Sequence, residues 1–125
     1  MPHAHWTDRL EVPFRNRPPV PIHVGRAVLE ELGKVLRKAA ATVPRVSVVT
    51  NEVVARHYLH PVLTGLREAS FHPHPITIPD GEREKSLERA GWLCGEWLEG
   101  GLDRASVVVA LGGGVVGDVT GFAAA

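Results

Sequence analysis

A glycine-rich turn near the end of the chain has the residue types and spacing of a phosphate-binding loop. Gly112, Gly114 and Gly117 follow the pattern G-x-G-x-x-G, after an apolar stretch and before residues with helical spacing. Glycine leaves no Cβ in the path of a phosphate, and the N–H groups at a helix start attract a pyrophosphate. The alternative is a tight strand–helix turn whose glycines serve packing alone. The pattern and its context favour the phosphate site.

A charged segment at residues 79–86 follows a short predicted strand. A carboxylate in this segment can accept both hydroxyls of a ribose, and a lysine one turn later, Lys85, can donate to ribose or phosphate. The alternative is a solvated turn that begins a helix, in which Glu82 and Glu84 favour the helix dipole. Taken alone, this segment fits the solvated turn better.

A third polar position, Asn51, follows the first parallel strand, where its side chain either caps the next helix or contacts a ligand. Parallel strands end at a common edge, and open sheets bind ligands there. The three segments therefore converge, which strengthens the ligand-binding interpretation. In an ordinary dinucleotide-binding domain the glycine turn follows the first strand, and an acidic residue comes about 20 positions later. Here it follows the last strand, so the residues predict a nucleotide site of unusual topology.

Alternating patterns predict the scaffold that positions these residues. Period-2 alternation at 10–14 and 20–24 predicts two strands of a β-hairpin. Apolar runs predict parallel strands at 45–50, 76–78 and 105–111, and helical spacing predicts helices over 28–39, 54–66 with a break at Pro61, 87–98, and 115 to the end. The all-apolar strand 105–111 is expected to be buried on both faces. The fold class is therefore α/β: a Rossmann-like parallel sheet layered between helices, with an N-terminal β-hairpin.

Side-chain positions follow from the same patterns. The helix over 87–98 is expected to bury Leu87, Ala90, Cys94, Trp97 and Leu98, with Trp92 and Trp97 between helix and sheet. The basic residues of the first helix region are interpreted as a solvated face: Arg26, Lys34, Arg37 and Lys38.

Composition limits the classes of function. The 125 residues carry 14 basic and 14 acidic side chains and are 44% hydrophobic, as expected for one soluble domain. A net charge of zero predicts no bulk attraction to nucleic acid or to an anionic membrane. The sequence shows no signal peptide and no membrane-spanning run, so we expect a cytoplasmic protein. The last helix stops at three alanines without a cap, which favours a piece of a longer protein.

Two histidine pairs were considered as metal ligands. His57 and His60 lie three apart, and His72 and His74 share a face of an extended segment. Neither pair has a third ligand at convincing spacing, and the prolines at 61, 73 and 75 suggest surface turns. We therefore predict no metal site in this chain.

Together the motifs resemble the 3-dehydroquinate synthase family. The segment LGGGVVGDVTGFAAA at 111–125 is similar to its glycine-rich signature, PDGEREKS at 79–86 to its adenosine-side motif, and VVTNE at 48–52 to its first strand-end contact. The likeness runs in order from about residue 10 to 125. Related sugar-phosphate cyclases and iron- or zinc-dependent polyol dehydrogenases share this architecture and stay open as alternatives. So does a stand-alone nucleotide-binding module.

The resemblance implies that residues 1–125 are the N-terminal NAD-binding domain of a lyase. The family converts a sugar phosphate, 3-deoxy-D-arabino-heptulosonate 7-phosphate, into 3-dehydroquinate with phosphate release, in the shikimate pathway of aromatic amino acid biosynthesis. NAD does the redox chemistry without net consumption, and a divalent metal, zinc or cobalt, polarises the alcohol. A Glu and two His in a second, helical domain absent from this chain would hold the metal. The chain alone should be inactive, and the whole enzyme is expected to be a homodimer.

The resemblance also implies a set of cofactor contacts, and no catalytic residue or metal ligand within 1–125. Glu82 and Lys85 would hold the adenosine ribose, 114–117 would wrap the pyrophosphate, and Asp118 would lie nearer the nicotinamide. The full implied set is Asn51, Asp80, Gly81, Glu82, Arg83, Glu84, Lys85, Gly113, Gly114, Val115, Val116, Gly117 and Asp118.

Overall fold

The computed structural model describes residues 5–40, 42 and 45–125, with side chains from residue 9 onward. Across these residues the strands form two sheets. Strands β1 (His5–Val12) and β2 (Val20–Arg26) pair antiparallel, and β3 (Arg45–Asn51), β4 (His72–Ile78) and β5 (Val107–Leu111) form a parallel sheet in the order β4-β3-β5. The α/β class, the parallel sheet and the N-terminal hairpin predicted from the sequence are confirmed.

Helical segments connect these strands. They are a 3₁₀ turn (Val28–Glu31), α1 (Leu32–Ala39), α2 (Glu52–Val54), a π-helical turn (Ala55–Leu59), α3 (His60–Glu68), a 3₁₀ turn (Glu82–Glu84), α4 (Leu87–Glu99) and α5 (Gly114–Ala124). The predicted break at Pro61 takes the form of the π turn just before it. Proline has no N–H to donate to the carbonyl four residues earlier, so the helix widens there and then continues.

The parallel sheet carries one apolar cluster on each face, with β3 in the centre. On one face Val49 of β3 packs with Leu93 of α4 and Val116 of α5. On the other face Val48 packs with Leu66 of α3. Sheet layering between helices is therefore confirmed. Along the part of the chain that the structure describes, no helix is long and apolar enough to cross a membrane.

The hairpin begins earlier than predicted and ends before Phe14. Its register places Leu10 opposite Ile22 and Val12 opposite Val20, so the apolar side chains share one face. These four side chains remain exposed, because no described element covers that face.

Three predictions are wrong: the turns at Pro73 and Pro75, the start of the last strand at 105, and the burial of that strand on both faces. Pro73 and Pro75 lie within β4 and not in turns, which is tolerated because β4 is an edge strand. Strand β5 starts at Val107 and not at 105, since the Asp103 carboxylate accepts hydrogen bonds from the backbone N–H groups of 105 and 106 and holds them in a turn. Only Leu111 of β5 is buried, because this strand forms the other edge of the described sheet.

The predicted buried face of α4 is rotated from the observed one. Leu93 is fully buried, whereas Leu87 and Leu98 are each 75% exposed. The buried face centres on Ala90, Leu93 and Trp97, and at about 100° per residue Leu87 and Leu98 lie roughly a quarter turn away. Cys94 is only partly buried.

The prediction for Trp92 is also wrong. Trp92 is 41% exposed, and the Arg89 guanidinium lies 4.7 Å from its ring centroid. Trp97 does pack between helix and sheet, where its indole N–H donates to the Ser47 hydroxyl at 2.8 Å.

Arg37 is not part of a solvated basic face. Its Nε and Nη2 donate to the Ala69 carbonyl at 3.1 and 2.9 Å, and its guanidinium covers the Phe71 ring at 3.7 Å. Arg37 therefore ties α1 to the end of α3. The other three basic residues of this set are exposed: Arg26, Lys34 and Lys38.

Candidate functional site

The carboxyl ends of the three parallel strands meet at one edge and are joined by side chains. The Thr50 hydroxyl at the end of β3 is buried and donates to the Leu111 carbonyl of β5 at 2.7 Å. Asn51 Nδ2 donates to Asp80 Oδ1 after β4 at 3.3 Å. Asn51 Oδ1 also accepts the N–H of Val54 at 2.8 Å, so the predicted helix cap is present. The predicted convergence of the three segments is therefore observed.

The glycine turn after β5 leaves the start of α5 open. Gly113 precedes the helix, no side chain caps it, and the first helical bond runs from the Gly117 N–H to the Gly113 carbonyl at 3.0 Å. The N–H groups of 114–116 therefore have no intrahelical acceptor. A Cβ added at Gly113, Gly114 or Gly117 would meet nothing within 4 Å. A ligand can approach this backbone closely, and the helix dipole favours an anion there.

Gly112 has a different role from the other glycines of the turn. A Cβ at this position would lie 3.0 Å from Cγ2 and 3.1 Å from Cβ of Val116, a residue that is 1% exposed. Gly112 therefore lets α5 pack closely behind the turn. The packing interpretation therefore applies to Gly112, whereas the open backbone at Gly113, Gly114 and Gly117 leaves room for a ligand, and phosphate binding there stays a prediction.

An ion pair between Glu84 and Arg89 ties the loop after β4 to helix α4. Glu84 is 8% exposed, and its Oε2 accepts from Arg89 Nε of α4 at 2.5 Å. The Ser86 hydroxyl accepts the backbone N–H of Arg89 at 3.1 Å and caps α4. Glu82 and Arg83 remain exposed on the outer side of this loop.

An ion pair links the loop to α5. Lys85 Nζ lies 2.7 Å from Asp118 Oδ2, and the two side chains are 47% and 60% exposed. The hydrogen bond with Asp118, its negative charge and then that of Glu82 raise the pKa of Lys85, so its ammonium stays charged through neutral pH. A cleft of about 300 Å³ opens beside the pair, lined also by Leu87, Ala90, Val119 and Phe122.

The implied contact residues divide into three groups by placement. Asn51 and Asp80 bond each other, Lys85 and Asp118 pair, and Gly113, Gly114 and Gly117 face open space. Glu84 points inward to Arg89, and the Val116 side chain is buried in the core. The third group has neither a side-chain bond within the set nor a buried side chain. Gly81, Glu82 and Arg83 belong to the loop after β4, and Val115 is half-buried at the start of α5.

Sequence reasoning missed Ser86, Arg89 and the Thr50 bond to β5. The Ser86 cap has a local signal, a serine directly before a helical stretch. The Glu84–Arg89 pair spans a loop and a helix start, for which no periodic pattern exists. In the described ranges, no three His, Cys, Asp or Glu side chains converge to hold a metal ion.

Comparison with known proteins places the chain in a family. Residues 75–125 match the family model described as 3-dehydroquinate synthase N-terminal. The 3-dehydroquinate synthase of Nitrobacter hamburgensis is 38% identical over 93% of this chain and 33% of its own length. That of Gloeobacter violaceus is 47% identical over 77% of this chain and 26% of its own length. The chain thus spans about a third or less of the length of these relatives.

Solved structures show the class of fold. Two structures of 2-deoxy-scyllo-inosose synthase match with a TM-score of 0.80 and 22% identity, covering 93% of this chain and 32% and 30% of theirs. The second holds carbaglucose-6-phosphate, NAD+ and Co2+. The chain therefore has the same α/β fold as the matched third of 2-deoxy-scyllo-inosose synthase. By sequence similarity the chain belongs to the 3-dehydroquinate synthase family, as a domain of its N-terminal type.

Proposed function

We propose that this chain is the NAD-binding part of an enzyme that converts 3-deoxy-D-arabino-heptulosonate 7-phosphate into 3-dehydroquinate with release of phosphate. One observation carries the NAD assignment: the uncapped start of α5, open above Gly113, Gly114 and Gly117, at the edge where the three parallel strands end. Membership of the 3-dehydroquinate synthase family supports the reaction.

The residues present fit a dinucleotide. The N–H groups of 114–116 would bind the pyrophosphate, because they point out of a helix start that no side chain caps. Glu82, exposed on the loop after β4, would accept the hydroxyls of the adenosine ribose. When bound, NAD supplies a hydride acceptor and donor for the reaction.

In this proposal, other residues of the chain bind the cofactor or hold the cofactor-binding loop in position. Lys85 is paired with Asp118, which raises the pKa of its ammonium group, and would donate to ribose or phosphate oxygens. Glu84 would act through Arg89, because their buried ion pair fixes the loop that carries Glu82 and Lys85. The Asn51–Asp80 bond would fix the far side of the same loop.

The chain is expected to prefer NAD over NADP. A 2′-phosphate would meet the Glu82 carboxylate and remove the hydroxyl that pairs with it, which costs about 1–3 kcal/mol, or about 5- to 150-fold in affinity. Arg83 and Lys85 act in the opposite direction. Calorimetric titration of both cofactors measures the ratio.

Glu82→Gln should shrink this preference, whereas Glu88→Gln, an exposed glutamate in the first turn of α4, should leave it unchanged. Equal affinity of the unaltered chain for NAD and NADP would contradict the proposed contact between Glu82 and the ribose.

The full-length enzyme is expected to release phosphate from its substrate in a chelator-sensitive way without accumulating NADH. Residues 1–125 alone should bind NAD and turn nothing over, because the proposed metal, zinc or cobalt, would be held by a Glu and two His elsewhere in the protein. A phosphate assay run beside a trace at the NADH absorption band measures both quantities.

Stoichiometric NADH would indicate a polyol dehydrogenase, and turnover by this chain alone would contradict a purely cofactor-binding role. Activity that resists a chelator would contradict the proposed requirement for a metal. The homodimer and the cytoplasmic location stay predictions.

A further inference from the structure

A second cleft lies at the amino ends of the parallel strands, opposite the end that carries the glycine turn. Its volume is about 410 Å³, and it is lined by Arg45, His72, Pro73, His74, Gly100 and Leu102. The register places Arg45 beside His72 and Ser47 beside His74 on neighbouring strands. The Ser47 hydroxyl bonds the Trp97 indole, so this side of the sheet faces α4. The arginine and both histidines therefore project together toward the end of α4.

The two glycines that follow α4 make room for these side chains. A Cβ at Gly100 would lie 2.9 Å from the His74 imidazole, and one at Gly101 would overlap the Arg45 guanidinium. Gly101 also has a φ of +78°, which favours glycine. Arg45 Nη1 donates to the Gly100 carbonyl at 3.1 Å, and this bond holds the guanidinium at the cleft.

The charges around the cleft select an anion. No acidic side chain lines it: Glu96, Glu99 and Asp103, in the last turn of α4 and the following loop, are not among the lining residues. A metal ion between the two imidazoles would be repelled by the permanent charge of Arg45. Arg45 also offsets the negative end of the α4 dipole through its bond to Gly100.

We propose that Arg45, His72 and His74 form a binding site for a phosphate group, either inorganic phosphate or a phosphomonoester. Arginine matches phosphate oxygens through its planar fork of donors, and each imidazole can add one N–H donor. This site lies at the opposite end of the strands from the glycine turn and is independent of the proposed NAD site.

The test titrates the chain with inorganic phosphate and, separately, with glucose 6-phosphate, and follows the backbone amides by ¹H–¹⁵N NMR. We expect saturable shifts at residues 45, 72, 74 and 100–102, each of which has a backbone N–H. The double variant His72→Gln/His74→Gln should weaken binding by about tenfold or more, and Arg45→Gln should do the same. The matched control is His57→Gln/His60→Gln, since these two exposed residues, in the π turn and at the start of α3, do not line the cleft.

Tighter binding of glucose 6-phosphate would identify a phosphomonoester as the ligand, and tighter binding of inorganic phosphate the free ion. Shifts confined to residues 112–118, or equal binding by the cleft and control variants, would overturn the proposal.

Discussion

Replacing Gly114 with valine is expected to abolish measurable NAD binding while the chain remains folded. A side chain at this position projects into open space, because an added Cβ meets nothing within 4 Å, so the fold accommodates it. The same open space is the path by which a pyrophosphate would reach the N–H groups of 114–116. We therefore expect affinity to fall by about 100-fold or more, equivalent to about 2.7 kcal/mol.

The matched control is Gly121→Val in the same helix. Gly121 is exposed, an added Cβ there also meets nothing within 4 Å, and it lies about two turns from the glycine turn. Calorimetric titration with NAD measures affinity, and far-ultraviolet circular dichroism checks the fold of both variants. If folded Gly114→Val keeps the affinity of the control, the open space at Gly114 is not the path by which NAD reaches the backbone.

The placement of the candidate site could be predicted because it follows from topology. Parallel strands bring their carboxyl ends to one edge, so Asn51, Asp80 and the turn at 112–114 meet wherever the three strands form a sheet. Strand type was also readable, since Val46, Val48 and Val49 form a β-branched run that occupies the buried centre of the sheet.

Contacts between distant residues could not be predicted in the same way. Arg37 reaches the carbonyl of Ala69, 32 residues away, and nothing in the spacing of basic residues distinguishes it from the exposed Lys34. Glu84 resembles its exposed neighbour Glu82 in sequence, yet it is buried because Arg89 lies beneath it. Such choices depend on packed geometry and not on local pattern.

For α4 the sequence predicted the helix correctly but the wrong buried face, because the two candidate faces differ by a small rotation about the helix axis. Cys94 and Leu98 continue a helical spacing from Ala90 just as Leu93 and Trp97 do, so hydrophobicity alone supports two neighbouring stripes. The sheet decides between them, because Ser47 accepts the hydrogen bond of the Trp97 indole and turns that side of the helix inward. Leu93 is thereby buried and Leu98 left 75% exposed.

Leu93→Ala is therefore expected to lower the free energy of unfolding by about 2–5 kcal/mol. Leu93 is completely buried against β3, β4 and α5, with Val49, Ile78 and Val116 in its cluster, and its removal leaves a cavity that these close-packed neighbours only partly fill. Urea unfolding followed by circular dichroism measures the change, and an unchanged slope with denaturant would show that only stability is altered.

Leu98→Ala makes the identical change five residues later in the same helix and is the matched control. Because Leu98 is 75% exposed, we expect a change within about 0.5 kcal/mol, the usual range for surface substitutions. The contrast between the two variants tests the orientation of α4 directly, since helix propensity changes by the same amount in both. Equal destabilisation by both variants would contradict this orientation of α4, and a larger effect at Leu98 would mean that the stripe of Cys94 and Leu98 faces the sheet.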